Sequence, residues 1–172
     1  FITSTASQTV TGTFTGSLGS GEKFQVSADG STWVDATTSG STFSASGVTL
    51  SAGTNTLSVR TIDAAANTTA GAGHSYTRDT TAPTAVATVT AISADTGTAG
   101  DFITSTASQT VTGTFTGSLG SGEKFQVSAN GSTWVDATTS GSTFSASGVT
   151  LSAGTNTLSV RTIDAAANTT AG

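Results

Sequence analysis

The sequence predicts an all-β protein built of tandem β-sandwich repeats, and three observations carry that prediction. Threonine alternates with valine, glycine and phenylalanine over short stretches such as "QTVTGTFTG" from Gln109 to Gly117. A period of two sends one set of side chains inward and the other to water. Glycine is abundant, 21 of 172 residues, and punctuates those stretches, whereas no helical period appears. Finally, Phe1 to Gly71 recurs as Phe102 to Gly172, an offset of 101 residues, with one change: Asp29 becomes Asn130. A period of about 100 residues is the size of a domain and far longer than a solenoid unit.

Along one repeat, the first strand runs from Pro83 to Ser93, "PTAVATVTAIS". Val86 and Val89 differ in parity, so its register shifts midway, as in an edge strand crossing between sheets. In the second strand, Gln109 to Gly117, Val111, Gly113 and Phe115 share the inward face. "KFQVSANGSTWVDA" reads as a hairpin, with Phe125 and Val127 inward and Trp134 on the return strand. Asn130-Gly131, or Asp29-Gly30 in the first copy, suits a type I′ turn, so the one difference between copies leaves the structure unchanged. "STFSASGVTL" and "NTLSVRTI" supply further strands, with Leu158 and Val160 inward. "HSYTR", His74 to Arg78, is the last strand of a repeat.

Seven short strands with glycine-rich turns read as an immunoglobulin-like sandwich. Its expected core is Phe115, Phe125, Val127, Trp134, Leu158 and Val160. The chain is then cut out of phase. Residues 1–79 form a repeat lacking its first strand, and residues 80–172 one lacking its last. Unpaired edges at those places invite pairing with another molecule. An odd number of alternating strands also makes the chain arrive at one end of a repeat and leave at the other.

Composition excludes several function classes. The net charge is −5 with only five Lys and Arg, which leaves nothing to neutralise a phosphate backbone, so no nucleic-acid partner is expected. No run of about 20 apolar residues occurs, so this segment is not expected to insert in a membrane. There is no cysteine, and another device must hold the loops. The opening "FITSTASQTV" has neither a basic nor an apolar signal region, so any export signal is expected elsewhere.

The acids are the informative charges. Only 9% of residues are charged, yet "DTTAPTAVATVTAISADTGTAGDFIT" holds Asp79, Asp95, Asp101 and the only proline, Pro83. In a seven-stranded meander the loop Asp95–Asp101 lies at the exit end of a repeat, beside the Asp79 that ends the last strand. Glu22 or Glu123, and the loop "DAAANTT" with Asp63 and Asn67 or Asp164 and Asn168, lie at the opposite end. End-to-end stacking of neighbouring identical repeats would gather these acids around the linker, where a cation must offset their repulsion. Carboxylates, amide oxygens and turn carbonyls are hard ligands suited to calcium, which takes six to eight of them. Gly97 and Gly100 let the loop wrap tightly. The competing reading is that Asp and Asn sit in turns because they bond their own backbone.

"DTTAP" at a repeat start, "SADTGTAGDFIT" after the first strand and "VRTIDAAANTT" before the last resemble the extender repeats of large bacterial RTX adhesins. That resemblance covers the whole chain. It implies immunoglobulin-like domains in long arrays, calcium at and near their linkers, type I export and an extracellular place on a bacterial surface. Ligands would be bound by other domains of the parent protein. The family's loop Asp-x-Ala-Gly-Asn stands here as Asp63-Ala-Ala-Ala-Asn67, without its glycine.

Catalytic constellations are missing. "GSLGSGEK" fails as a phosphate loop because Glu123 separates glycine from lysine and a strand follows. His74 is the only histidine, which rules out a His-based triad or a multi-histidine zinc site. Asn67-Thr-Thr, Asn130-Gly-Ser and Asn168-Thr-Thr match the glycosylation sequon, which carries little weight if the source is bacterial, as the resemblance implies. The expected function is therefore a calcium-rigidified spacer and not an enzyme. The alternative is a carbohydrate-binding module repeated for avidity, with Trp33 and Trp134 as stacking platforms. Exposed tryptophan rings would favour the sugar reading, and rings buried between sheets the spacer.

Overall fold

A computed structural model describes all residues, 1–172, and they form strands and loops without a helix. The chain divides into two compact units, Phe1–Thr80 and Thr81–Gly172. Each contains two sheets that share one apolar core.

The first unit holds β1 (Ile2–Thr3), β2 (Ser7–Thr13), β3 (Lys23–Ser27), β4 (Val34–Asp35), β5 (Thr37–Ser39), β6 (Thr42–Thr49), β7 (Gly53–Ile62), β8 (Thr68–Ala70) and β9 (His74–Arg78). One sheet runs β1-β9-β7-β3-β4, with β8 also on β7, and the other runs β2-β6-β5. All pairings are antiparallel except β1 with β9, which is parallel. The core takes Phe43, Ala45 and Val48 from β6, and Val26, Leu57 and Tyr76 from the facing sheet.

The second unit holds β10 (Val86–Ile92), β11 (Ser108–Thr116), β12 (Lys124–Ser128), β13 (Val135–Asp136), β14 (Thr138–Ser140), β15 (Thr143–Thr150), β16 (Ser159–Ile163) and β17 (Thr169–Ala171). Its sheets run β10-β11-β15-β14 and β13-β12-β16-β17. The expected register shift in the first strand falls between Val89 and Ala91. Ahead of that strand, the carbonyls of Ala85 and Pro83 accept bonds from Thr162 Oγ1 (2.6 Å) and Thr170 Oγ1 (2.5 Å) of the other sheet. The segment thus touches both sheets, as a crossing strand does. Gly113 is required here: a Cβ would collide with the Thr88 carbonyl and the Phe144 ring.

Two expectations need correction. Phe125, Val127 and Val160 are buried, while Phe115 and Leu158 lie half-buried at the margin of the core, but Trp134 is not in the core. It lies half-exposed with the Arg161 guanidinium 3.9 Å above its ring, and Arg60 covers Trp33 in the same way. Asp29-Gly30 and Asn130-Gly131 are not type I′ turns, because only the glycines have positive φ (73° and 72°). The strands meet at Val26–Val34 and Val127–Val135, so a wide loop joins them. Asp29 Oδ1 holds that loop open by accepting the Ser31 and Thr32 N–H groups (2.8 and 2.7 Å). Asn130 Oδ1 accepts the Ser132 and Thr133 N–H groups at 2.9 and 2.8 Å, so the two copies do share this structure.

The near-identical sequences differ in which strand they pack. Nothing pairs with the outer edge of β2, whereas its counterpart β11 is covered by β10. Val10 is half-buried and Val111 is fully buried. Conversely, β9 pairs with Gly53–Leu57 of β7, but no strand lies beside Gly154–Leu158, and those residues are not in a sheet.

Candidate functional site

The acidic loops divide between the two ends of each unit. In the first unit Gly21 adjoins Ala64, so the loops carrying Glu22 and Asp63 lie together. Asp79 follows β9, which is antiparallel to β7, and so lies at the other end. In the second unit Glu123 and Asp164 flank the paired residues Lys124 and Ile163 at one end. Asp95 and Asp101 precede β11 at the opposite end. No group of three or more acids or histidines converges within either unit.

Most of these acids serve their own loops. Asp63 Oδ1 accepts the Ala65 and Asn67 N–H groups (2.9 and 2.8 Å), and Oδ2 accepts Asn67 Nδ2 (2.9 Å). Those bonds, led by the Asn67 amide, hold its carboxyl below the usual range. Asp164 binds Ala166 and Asn168 in the same pattern, each bond at 2.8 Å. The chain reverses through Ala66 and Ala167 with φ of 66° and 68°. Glu22 Oε2 accepts the Gly19 N–H (2.6 Å), and Glu123 Oε2 the Gly120 N–H (2.8 Å). The backbone N–H of Asp79 donates to the Thr3 carbonyl (3.0 Å). Asp63 and Asp164 therefore fit a cation poorly, since N–H donors already face both oxygens.

The loop Asp95–Asp101 differs. Asp95 Oδ2 accepts the Gly100 N–H (2.7 Å), but Oδ1 is buried and has no partner. Asp101 Oδ1 accepts the Ile103 N–H (2.9 Å). Gly97 and Gly100 turn the loop with φ of 93° and 89°. A buried carboxylate oxygen without a donor is costly unless a cation satisfies it. Asp95 Oδ1 is thus the one oxygen among these carboxylates that is buried with no donor, and Asp101 lies in the same short loop.

One structural residue escaped sequence reasoning. Gln109 is only 1% exposed and fastens the acidic loop. Its Oε1 accepts the Ala94 N–H (2.9 Å), and its Nε2 donates to the Thr106 carbonyl (2.7 Å). The available signal was a long polar side chain at the head of a Thr/Val alternation. A second unforeseen feature is a polar network outside the core. Arg60 Nε donates to Gln25 Oε1 (2.9 Å), Gln25 Nε2 to Asp35 Oδ1 (2.7 Å), and Lys23 pairs with Asp35 at 2.6 Å. Arg161, Gln126, Asp136 and Lys124 repeat it.

No protein-family model and no curated protein matches the chain.

Proposed function

We propose that this chain is a structural spacer: tandem immunoglobulin-like repeats that hold the binding domains of a bacterial surface adhesin away from the cell, stiffened by calcium. The observation that carries the calcium reading is Asp95 Oδ1, buried without a donor in a loop that also holds Asp101. The spacer reading rests on repetition. Two stretches of chain repeat one sequence with a single difference, which suits extension better than recognition of different targets.

In the extender reading, Asp95 and Asp101 hold the ion together with turn carbonyls. An ion shared by both carboxylates and the turn carbonyls then cross-links the loop and stiffens it. Extracellular calcium modules bind with dissociation constants of roughly 10⁻⁴–10⁻³ M, so millimolar calcium outside the cell would fill such a site. An ion that binds only the folded form adds about 2.7 kcal/mol at a hundredfold excess over that constant.

The test is calorimetric titration of the chain with calcium, with scattering in calcium and in chelator. Expected are saturable binding, a higher Tm and a fixed maximum dimension, all lost in Asp95→Ala and weakened in Asp101→Ala. A chain whose Tm and dimensions ignore calcium would end this reading.

The half-exposed rings of Trp33 and Trp134 favour the second reading, a repeated carbohydrate-binding module. Against it, one face of each ring is already covered by an arginine. Quenching of tryptophan fluorescence by oligosaccharides, abolished in a Trp33→Ala, Trp134→Ala double variant, would select it.

A further inference from the structure

The one difference between the copies is a pair of residues related by a chemical reaction. Asn130 stands before Gly131, and Asp29 before Gly30. Aspartate is what asparagine becomes when its side-chain amide is hydrolysed, and asparagine is among the thermolabile residues. The chain has five asparagines. Asn55, Asn67, Asn156 and Asn168 each precede threonine, and Asn130 alone precedes glycine.

The loop around Asn130 supplies what that reaction needs. The nucleophile is the backbone nitrogen of the next residue, which closes a ring on the side-chain carbonyl carbon. A β-branched neighbour crowds that nitrogen, whereas Gly131 has no side chain and open space where a Cβ would stand. Three donors converge on Asn130 Oδ1: the Ser132 N–H (2.9 Å), the Thr133 N–H (2.8 Å) and the Ser128 hydroxyl (3.1 Å). They meet the oxygen on which negative charge develops as the carbon is attacked. Bonds to the two amides that follow Gly131 also fold the side chain forward over its backbone. Ser128 Oγ in turn accepts the Gly131 N–H (2.9 Å). Ser128 is fully buried, and Asn130 is exposed to water.

We infer that Asn130 is a self-modifying site: in the folded loop it loses ammonia and becomes aspartate, the side chain that the first unit already carries. Gly131 N bonds to Asn130 Cγ, its proton passes to Ser128 Oγ, and the Ser128 proton passes to Oδ1. The tetrahedral centre then breaks its bond to Nδ2, which leaves as ammonia with the proton from Oδ1. One water opens the ring at the bond between Cγ and Gly131 N. Its hydroxyl stays on Cγ and its hydrogen restores the Gly131 N–H. The new acid gives its proton to the ammonia, leaving a carboxylate and ammonium.

The first unit shows how the product is held. Asp29 Oδ1 accepts the equivalent Ser31 and Thr32 N–H groups at 2.8 and 2.7 Å, and the Ser27 hydroxyl at 3.0 Å. The Thr32 and Ser31 N–H groups hold that carboxyl well below the usual range, so the loop favours the charged product. Opening the ring at its other carbonyl would insert a carbon into the backbone and lose this network, so aspartate is the expected product over isoaspartate. The inference depends on neither calcium nor the spacer reading.

The test incubates the full folded chain at neutral pH and follows it by peptide mapping with mass spectrometry and by amide spectra. Expected is conversion at Asn130 with the other four asparagines intact. Aspartate should be the main product, and the Ser132 and Thr133 amide signals should move onto those of a directly made Asn130→Asp chain. Ser128→Ala should slow conversion about tenfold in the folded chain, the loss of one hydrogen bond at the reacting groups, and leave it unchanged in denaturant. The parent chain's conversion and its match to Asn130→Asp decide the matter even if Ser128→Ala fails to fold. Three results would overturn the inference: Asn130 that survives in the folded chain while converting in denaturant, isoaspartate as the main product, or a folded Ser128→Ala chain that converts at the parent's rate.

Discussion

Asp29 and Asn130 make the same bonds, so their difference is one of charge. The Thr32 and Ser31 N–H groups hold the Asp29 carboxyl well below the usual carboxylate range. A depressed folded-state value stabilises the fold fully above the unfolded value, near 3.9, and the contribution disappears as pH falls through the folded value. Asp29→Asn is therefore expected to speed exchange of the Ser31 and Thr32 amides at neutral pH and to leave it unchanged in strong acid. Equal exchange of the two proteins at neutral pH would refute this. Ala66 and Ala167 give a second expectation. Both occupy the left-handed region, where a Cβ is penalised. Ala66→Gly, and likewise Ala167→Gly, should stabilise its unit by about 1 kcal/mol, after glycine's own entropy is allowed for, readable as a rise in Tm. The loop's inward-turned aspartate was legible, since Asp in turns bonds its own backbone. The arginine over each tryptophan was not. Arg60 and Trp33 are brought together by the register of β3, β4 and β7, which no local pattern encodes.

Strand positions could be read wherever Thr alternated with apolar residues, as in β11, because the period of two is a local signal. Turn geometry was less legible. Asp-Gly and Asn-Gly favour a tight turn, but the side-chain caps of Asp29 on the Ser31 and Thr32 amides, and of Asn130 on those of Ser132 and Thr133, widened the loop and prevailed. Within the candidate site, the Asp95–Asp101 loop could be found from its acids and glycines. The part played by Gln109 could not, since it depends on the loop folding back over β11. The elements also predict an asymmetry between identical leucines. Leu57 is packed under β9, whereas no strand lies beside Leu158, which is half-buried. Leu57→Ala should cost about 2–5 kcal/mol, the usual range for a buried leucine, and Leu158→Ala clearly less. Denaturation of the two variants measures this, and equal losses would mean that β9 adds nothing to the packing of Leu57.

At the scale of the molecule, the repeat was plain in the sequence, while the uneven completion of its sheets emerges only from the pairing of strands. The parallel contact of β1 with β9 joins the first residues of the first unit to its last ones. The Thr77 N–H donates to the Phe1 carbonyl (2.9 Å) and the Asp79 N–H to the Thr3 carbonyl (3.0 Å). Tension applied at the two ends of that unit pulls these parallel strands lengthwise past each other, so their bonds are loaded together in shear. In the second unit the last strand, β17, is a three-residue antiparallel partner of β16 and can peel one bond at a time. Stretching the chain by its ends should give two ruptures of unequal force, and Thr77→Pro, which deletes one shear bond, should lower only the stronger. Ruptures of equal force would show that this contact bears no load. A joint of two residues against five then acts as a mechanical fuse, setting the load at which the first unit gives way and the chain lengthens.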